Sequence, residues 1–276
     1  TGIIIEKRIF PFSFKEYLTA KNIDVSSKEK VFDQKIKVKK EFKNFIFKGG
    51  FPEVIGLDED LRINVLKEYL QTIIFKDVVA RYSVSNSQKI LDFAHYIISN
   101  STKLFNFSTL AKQFSYSNDT VSEYASYFEE VFFIFRLFIH DYSVKKQLVN
   151  PKKLYAIDTG IITASSFRFS ENTGRLLENA VFVELIRRGN DIYYHNGKKE
   201  CDFIVKEDIK IVQAIQVSSN LDDSDTKKRE IEGLLDAMEN YGLDEGLILV
   251  ADGESEEIFE DKKIIIKPIW KFFLGI

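Results

Sequence analysis

The chain of 276 residues has one cysteine, one methionine, one tryptophan and four prolines. A single cysteine, Cys201, has no internal partner for a disulfide. It falls in a strand-like run and reads as a small buried hydrophobe, which suits a reducing compartment, so the expected location is cytoplasmic. No apolar run is long enough to span a bilayer and no secretory leader is recognisable, so no membrane partner is expected. The chain also lacks a G-x-x-x-x-G-K-[ST] loop. Its only Gly-Gly pair, Gly49-Gly50, is followed by Phe-Pro and not by a lysine, so these residues are not expected to cradle a nucleotide phosphate. Positive charge is not in excess: the net charge is −3, and no global field advertises a nucleic-acid partner. An initiator methionine is missing too. Thr1-Gly2 leads at once into a strand-like run, Ile3-Ile4-Ile5, and the chain reads as a fragment of something longer.

What is present is ordinary for a globular protein: 45% apolar and 29% charged residues, with 25 phenylalanines and 12 tyrosines to make aromatic cores. The length suits about two domains. Residues 1–23 read as a strand, a Phe-Pro turn and a short helix, with Ser13 as N-cap and Glu16 completing a capping box. Eight lysines crowd residues 28–48, read as a linker and a helix whose charged face is solvated. Gly49 closes that helix and Pro52 prevents its continuation. Two helices are expected within 60–100, from Leu66, Tyr69, Leu70 and Ile73 and again from Ile90, Phe93, Ala94 and Ile97.

Residues 101–161 resemble a winged helix. A short helix begins at Ser108, a longer one is capped by Ser117 or Asn118, and residues 135–160 read as a two-stranded wing. The longer helix carries Asp119, Glu123, Glu129 and Glu130, which would repel phosphates, so it reads as a packing module. The wing lysines Lys145, Lys146, Lys152 and Lys153 form the one local basic cluster that could touch nucleic acid. His95 and His140 stand alone and read as structural. A Ser/Thr-rich connector covers 162–173.

The stretch from Gly174 to Ser218 is the most informative. As a helix, GRLLENAVFVELIRRG places Glu178 on the side of Val181, Phe182 and Leu185, with Glu184 pointing elsewhere. A carboxylate on an apolar stripe is costly unless something uses it. Asn196-Gly197 signals a hairpin. Strict alternation would put Cys201, Phe203 and Val205 on one face, with Asp202 and Ile204 on the other. In the next strand Gln216 and Ser218 share a face. Beyond it come a helix containing Ile231, Leu234, Leu235 and Met238 and stopped at Gly242, a strand at Leu247–Val250, another at Ile264–Ile266, and a terminal helix from Ile269 to Leu274.

A helix glutamate, a strand aspartate and two polar residues spaced i and i+2 resemble the PD-(D/E)XK nuclease-like core. That resemblance implies a divalent metal, commonly Mg²⁺, held by Asp202 and the residue at Gln216 with help from Glu178. It also implies a lysine at the place of Ser218. Gln216 and Ser218 depart from the pattern, and a substitute lysine would have to come from elsewhere, such as Lys227 or Lys228. The ordered set FPFSFKEYL, GGFPEVI, NPKKLYAIDTGI, GRLLENAVFVELIRRG, ECDFIV and AIQVS is similar to AAA-type ATPases with a C-terminal PD-(D/E)XK-like domain. It implies an ATPase core, with its ATP and Mg²⁺, in a parent protein. The expected architecture is mixed α+β and α/β: the end of an ATPase core and linker over 1–60, a helical winged-helix-like domain over 61–163, and a nuclease-like α/β domain over 164–276. The expected function is partner or nucleic-acid binding by an accessory region with a degenerate nuclease-like site. The alternatives are a metal-dependent nuclease with a migrated lysine and an oligomerisation module.

Overall fold

Apolar residues at helical spacing build a helical first half around one aromatic-rich core, in a computed structural model that describes residues 7–165 and 173–276. The strand expected at Ile3-Ile4-Ile5 and most of the connector lie outside these residues. Helix α1 (Phe14–Ala20) carries the expected capping box between Ser13 and Glu16. The lysine-rich stretch forms two helices, α2 (Lys28–Asp33) and α3 (Lys35–Lys48). Helix α4 (Glu59–Thr72) runs through a π-helical turn, Ile73–Val79, into the short α5 (Ala80–Tyr82). Helix α6 (Ser87–Ser99) follows.

A small antiparallel sheet comes next, in the order β1 (Leu104–Phe105), β3 (Lys152–Ala156), β2 (Ile134–Leu137). It stands beside α7 (Phe107–Phe114) and α8 (Asn118–Glu130). Ser117 caps α8 as expected, but α7 is capped by Asn106 and not Ser108, because the Asn106 side chain reaches the free amides of Ser108 and Thr109. The supposed wing is a strand pair interrupted by helix α9 (Val144–Val149), whose first turn is capped by Ser143.

Helix α10 (Thr159–Ser165) is clasped to the end of α3. Asp158 accepts hydrogen bonds from the amides of Gly50 at 2.7 Å and Gly160 at 2.8 Å. Gly49 adopts φ +81°, and a Cβ there would fall 2.0 Å from Asp158 Oδ1. Only glycine meets both demands. Two segments of the sequence set, GGFP and IDTG, are therefore the two halves of one joint.

Helix α11 (Thr173–Arg187) leads into a six-stranded mixed sheet ordered β4-β5-β6-β7-β9-β8. Its strands are β4 (Asp191–Asn196), β5 (Glu200–Glu207), β6 (Lys210–Ser218), β7 (Glu245–Val250), β8 (Ser255–Phe259) and β9 (Lys262–Pro268). The β6-β7 and β7-β9 pairs are parallel and the rest antiparallel. Helix α12 (Ser224–Tyr241) covers one face, packing Leu234, Ala237 and Met238 on Cys201, Ile204, Ala214 and Ile248. The other face, with Phe203, Ile215, Val217 and Leu249, joins the core of the helical half, where α11 lies. Helix α13 (Ile269–Leu274) ends the chain as the pattern indicates. The chain is thus a helical first part followed by a mixed sheet. Among the described residues, no helix is long and apolar enough to cross a membrane.

Candidate functional site

Asn179 fixes α11 against β3. Fully buried, it accepts from the Ala156 amide and donates to the Ala156 carbonyl, both at 2.9 Å, while Ser101 donates to its Oδ1 at 2.8 Å. This two-point attachment to one backbone residue sets the rotation of α11 and leaves its neighbour Glu178 facing β3. Tyr155 lies stacked on Phe182 at 4.0 Å between ring centroids and donates its hydroxyl proton to Glu178 Oε1 at 2.7 Å.

A β-bulge aims the aspartate. Tyr193 pairs with Ile204 and His195 with Cys201, so Asp202 and Phe203 together oppose the single Tyr194. The bulge corrects the expected alternation: Cys201 packs under α12, whereas Phe203 and Val205 join the opposite core. Past Phe203 and Ile215 the regular pairing of β5 and β6 ends, and side chains take over the ladder. Gln216 Oε1 accepts from the Asp202 amide at 3.0 Å, and Asp202 Oδ2 accepts from the Val217 amide at 3.0 Å.

The cation at this place is Lys153. Its side chain is only 4% exposed, and its ammonium lies 2.8 Å from Asp202 Oδ1, 3.2 Å from Glu178 Oε1 and 2.7 Å from Glu200 Oε1. Burial alone would lower its pKa, but the three carboxylates outweigh burial and hold it well above the usual lysine value. One ammonium cannot neutralise three carboxylates. Burial, reinforced by Asp202, pushes Glu178 up to about 7, so the cluster holds a proton near neutrality.

The sequence places Glu178, Asp202 and Gln216 together, and the structure joins them in one hydrogen-bonded group. Ser218 is apart from it, donating to the Asn220 carbonyl at 2.8 Å. Lys227 pairs with Glu257 and Lys228 with Glu232, so neither supplies the missing ammonium. Lys152 and Lys153 are not a surface for nucleic acid: both are buried. Lys152 donates to the Leu148 carbonyl and sits over the rings of Phe107 and Phe138. Lys145 and Lys146 are exposed, with Lys146 facing Asp141 at 3.4 Å. Glu184, on another side of α11, is buried and paired with Arg187 and Arg188.

Tyr155, Asn179 and Glu230 carry roles the sequence reading did not assign. Glu230, buried on α12, accepts from the Gln216 side-chain amide and pairs with Arg229 at 2.5 Å. The alternation in Lys153-Leu154-Tyr155 was the available signal for two of the functional side chains lying on one face of a strand.

The nuclease-like resemblance implies a divalent cation here, and the donors can be tested against it. Asp202 Oδ1 and Glu178 Oε1 face Lys153, Asp202 Oδ2 faces a backbone amide, and the Gln216 carbonyl oxygen faces another. Among the described residues no group of three His, Cys, Asp or Glu side chains is disposed to hold a metal. As arranged, these oxygens face an ammonium and two backbone amides, so a divalent cation would enter only with Lys153 drawn away from the carboxylates.

Residues 39–172 match a family described as a domain of unknown function, DUF8612. Residues 173–272 match another, DUF4143, which is found in C-terminal regions associated with AAA-type ATPases. The chain is similar to an uncharacterized protein of Methanocaldococcus jannaschii, MJ1544, with 34% identity over 290 residues, covering 99% of this chain and 64% of the relative. An uncharacterized protein of Haemophilus influenzae is 29% identical over 247 residues, covering 87% of this chain and 59% of the relative. The chain therefore spans less than two thirds of the length of these curated relatives. No solved structure matches it.

Proposed function

We propose that this chain is the accessory, non-motor region of an AAA-type ATPase, and that its PD-(D/E)XK-like domain serves binding and not cleavage. The DUF4143 match and the ordered sequence set support the ATPase connection. The observation that carries the loss of cleavage is Lys153: its ammonium sits on both carboxylates that the resemblance would give to a metal. Gln216 at the second acidic position reinforces this, since its amide bridges the Asp202 backbone and Glu230. The site becomes a buried ion cluster that locks β3, α11 and β5 together and presents a fixed surface to a partner. Incubating the purified chain with single- and double-stranded DNA and RNA, in Mg²⁺ and in Mn²⁺, tests this. Every substrate should remain intact. Metal-dependent cleavage that disappears in Asp202→Asn would overturn it.

One feature favours a second reading. Lys153 also provides, from another strand, the ammonium missing at Ser218, as a metal-dependent nuclease with a migrated lysine requires. That reading demands cleavage that is lost in Lys153→Met as well as in Asp202→Asn, so the same assay separates the two.

A further inference from the structure

Helix α3 carries six lysines and one glutamate, in a chain whose net charge is −3. Its inner face buries Val38, Phe42 and Ile46. Ile36, Lys40, Lys43 and Phe47 recur at i, i+4, i+7 and i+11 and are all exposed. Ile36 is 88% exposed, an unusual position for so large an apolar side chain. The glutamate, Glu41, is engaged by the Tyr17 hydroxyl at 3.1 Å, and Lys39 pairs with Asp252 at 2.6 Å. Lys37, Lys40 and Lys43 have no carboxylate partner among the described residues. Beside the stripe lies a cavity of about 660 Å³, walled by Phe42, Ile46, Leu177 and Trp270 and by Lys40 and Lys43.

We propose that this face docks an acidic amphipathic helix of a partner protein. An apolar anchor of the partner fills the cavity, neighbouring apolar side chains cover Ile36 and Phe47, and flanking carboxylates meet Lys37, Lys40 and Lys43. This is the arrangement by which helices lie in grooves, with apolar anchors at helical spacing, and the charges set orientation and speed association. A phosphodiester backbone would satisfy the ammonium groups but would leave the apolar cavity and Ile36 without a match. A small anion would cover one end of the stripe only. The inference gives the binding role proposed above a surface, yet it stands on α3 and is independent of the Lys153 cluster.

The test uses the whole chain and a fluorescein-labelled synthetic peptide of about four helical turns, with leucines along one stripe and glutamates elsewhere. Fluorescence anisotropy is read against wild type, Lys40→Glu/Lys43→Glu and Ile36→Asp. All three substituted side chains are exposed, and an unchanged melting temperature confirms intact folding. The acidic peptide should bind wild type and bind each variant at least about tenfold more weakly. A matching peptide with lysines in place of the glutamates should prefer the charge-reversed variant. The proposal falls if wild type does not bind the acidic peptide or if the variants bind it equally well. It also falls if labelled DNA or RNA binds instead, with that binding lost on charge reversal, which would make α3 a nucleic-acid face. Nuclease activity plays no part in this readout, so either proposal can fail alone.

Discussion

Replacing Lys153 by methionine keeps the stem's length and removes the charge, and its cost follows from the cluster. Glu178 and Asp202 would stay in place without their ammonium. Breaking a buried pair by removing one partner costs about 3–5 kcal/mol. The variant should respond by keeping Glu178 protonated, and this makes the loss depend on pH. In wild type the Glu178 pKa is raised from 4.5 to about 7. A raised value means that the group's contribution is fully present below about 4.5 and is lost as pH rises through about 7. In Lys153→Met that window extends upward. Holding the carboxyl protonated costs about 1.36 kcal/mol per pH unit above its unfolded value, hence roughly 1.4 kcal/mol at pH 5.5 and roughly 5 kcal/mol at pH 8. Wild type carries the same cost up to a pH of about 7 and little more beyond it, so urea unfolding of both proteins at these two pH values should show the deficit widening by about 1.4 kcal/mol. Adding Glu178→Gln should recover much of it at pH 8. A variant as stable as wild type at pH 8, or a deficit that does not change with pH, would show that the Lys153 ammonium does not sustain the Glu178 carboxylate.

Asn179→Ala should cost about 1–3 kcal/mol, because it leaves the buried Ala156 carbonyl unpaired and its amide with only the longer bond to the Ser101 hydroxyl at 3.3 Å; thermal unfolding reads this directly. Gln216→Ala should cost about 1–3 kcal/mol for the same reason at the Asp202 amide, measured by chemical denaturation. Burial pushes Asp158 up to about 6, so its contribution is present at acid pH and declines as pH rises through about 6. Asp158→Asn should remove that part of the pH dependence yet still destabilise, because one of the two amides the carboxylate serves loses its acceptor. Gly49→Ala should be worse than a typical surface change, combining a left-handed φ with a Cβ driven into Asp158; a small loss in a melting experiment would show that the joint yields.

Much of this was legible from spacing. The helical period turned Glu178 inward, the capping box of α1 followed from Ser13 and Glu16, and the terminal helix expected from Ile269 to Leu274 has those bounds. What escaped was of two kinds. Local irregularities defeated strict periods: a single bulge at Asp202 and Phe203 reversed the faces that alternation assigned. Helix α9 hid in a Val-Lys-Lys-Gln-Leu-Val run that looks extended until its cap forms. Strand β8, Ser-Glu-Glu-Ile-Phe, is an exposed edge strand with too few apolar residues to announce itself. Long-range partnership was the other gap. Lys153 is 49 residues from Asp202 and Asp158 is 108 from Gly50, and nothing local to either says what it will meet. In a basic-looking segment, Lys153 reads as a surface charge, and only the packing of α11 and β5 against β3 makes it the centre of a buried cluster.

We propose that an ammonium, and not a metal, fills this site, and crystals grown with excess Mn²⁺ and measured at the manganese absorption edge decide between the two. Lys153 Nζ should lie within hydrogen-bonding distance of Asp202 and Glu178, with no anomalous peak between them. A manganese peak ligated by those two carboxylates, with the lysine displaced, would show that the site is a metal centre.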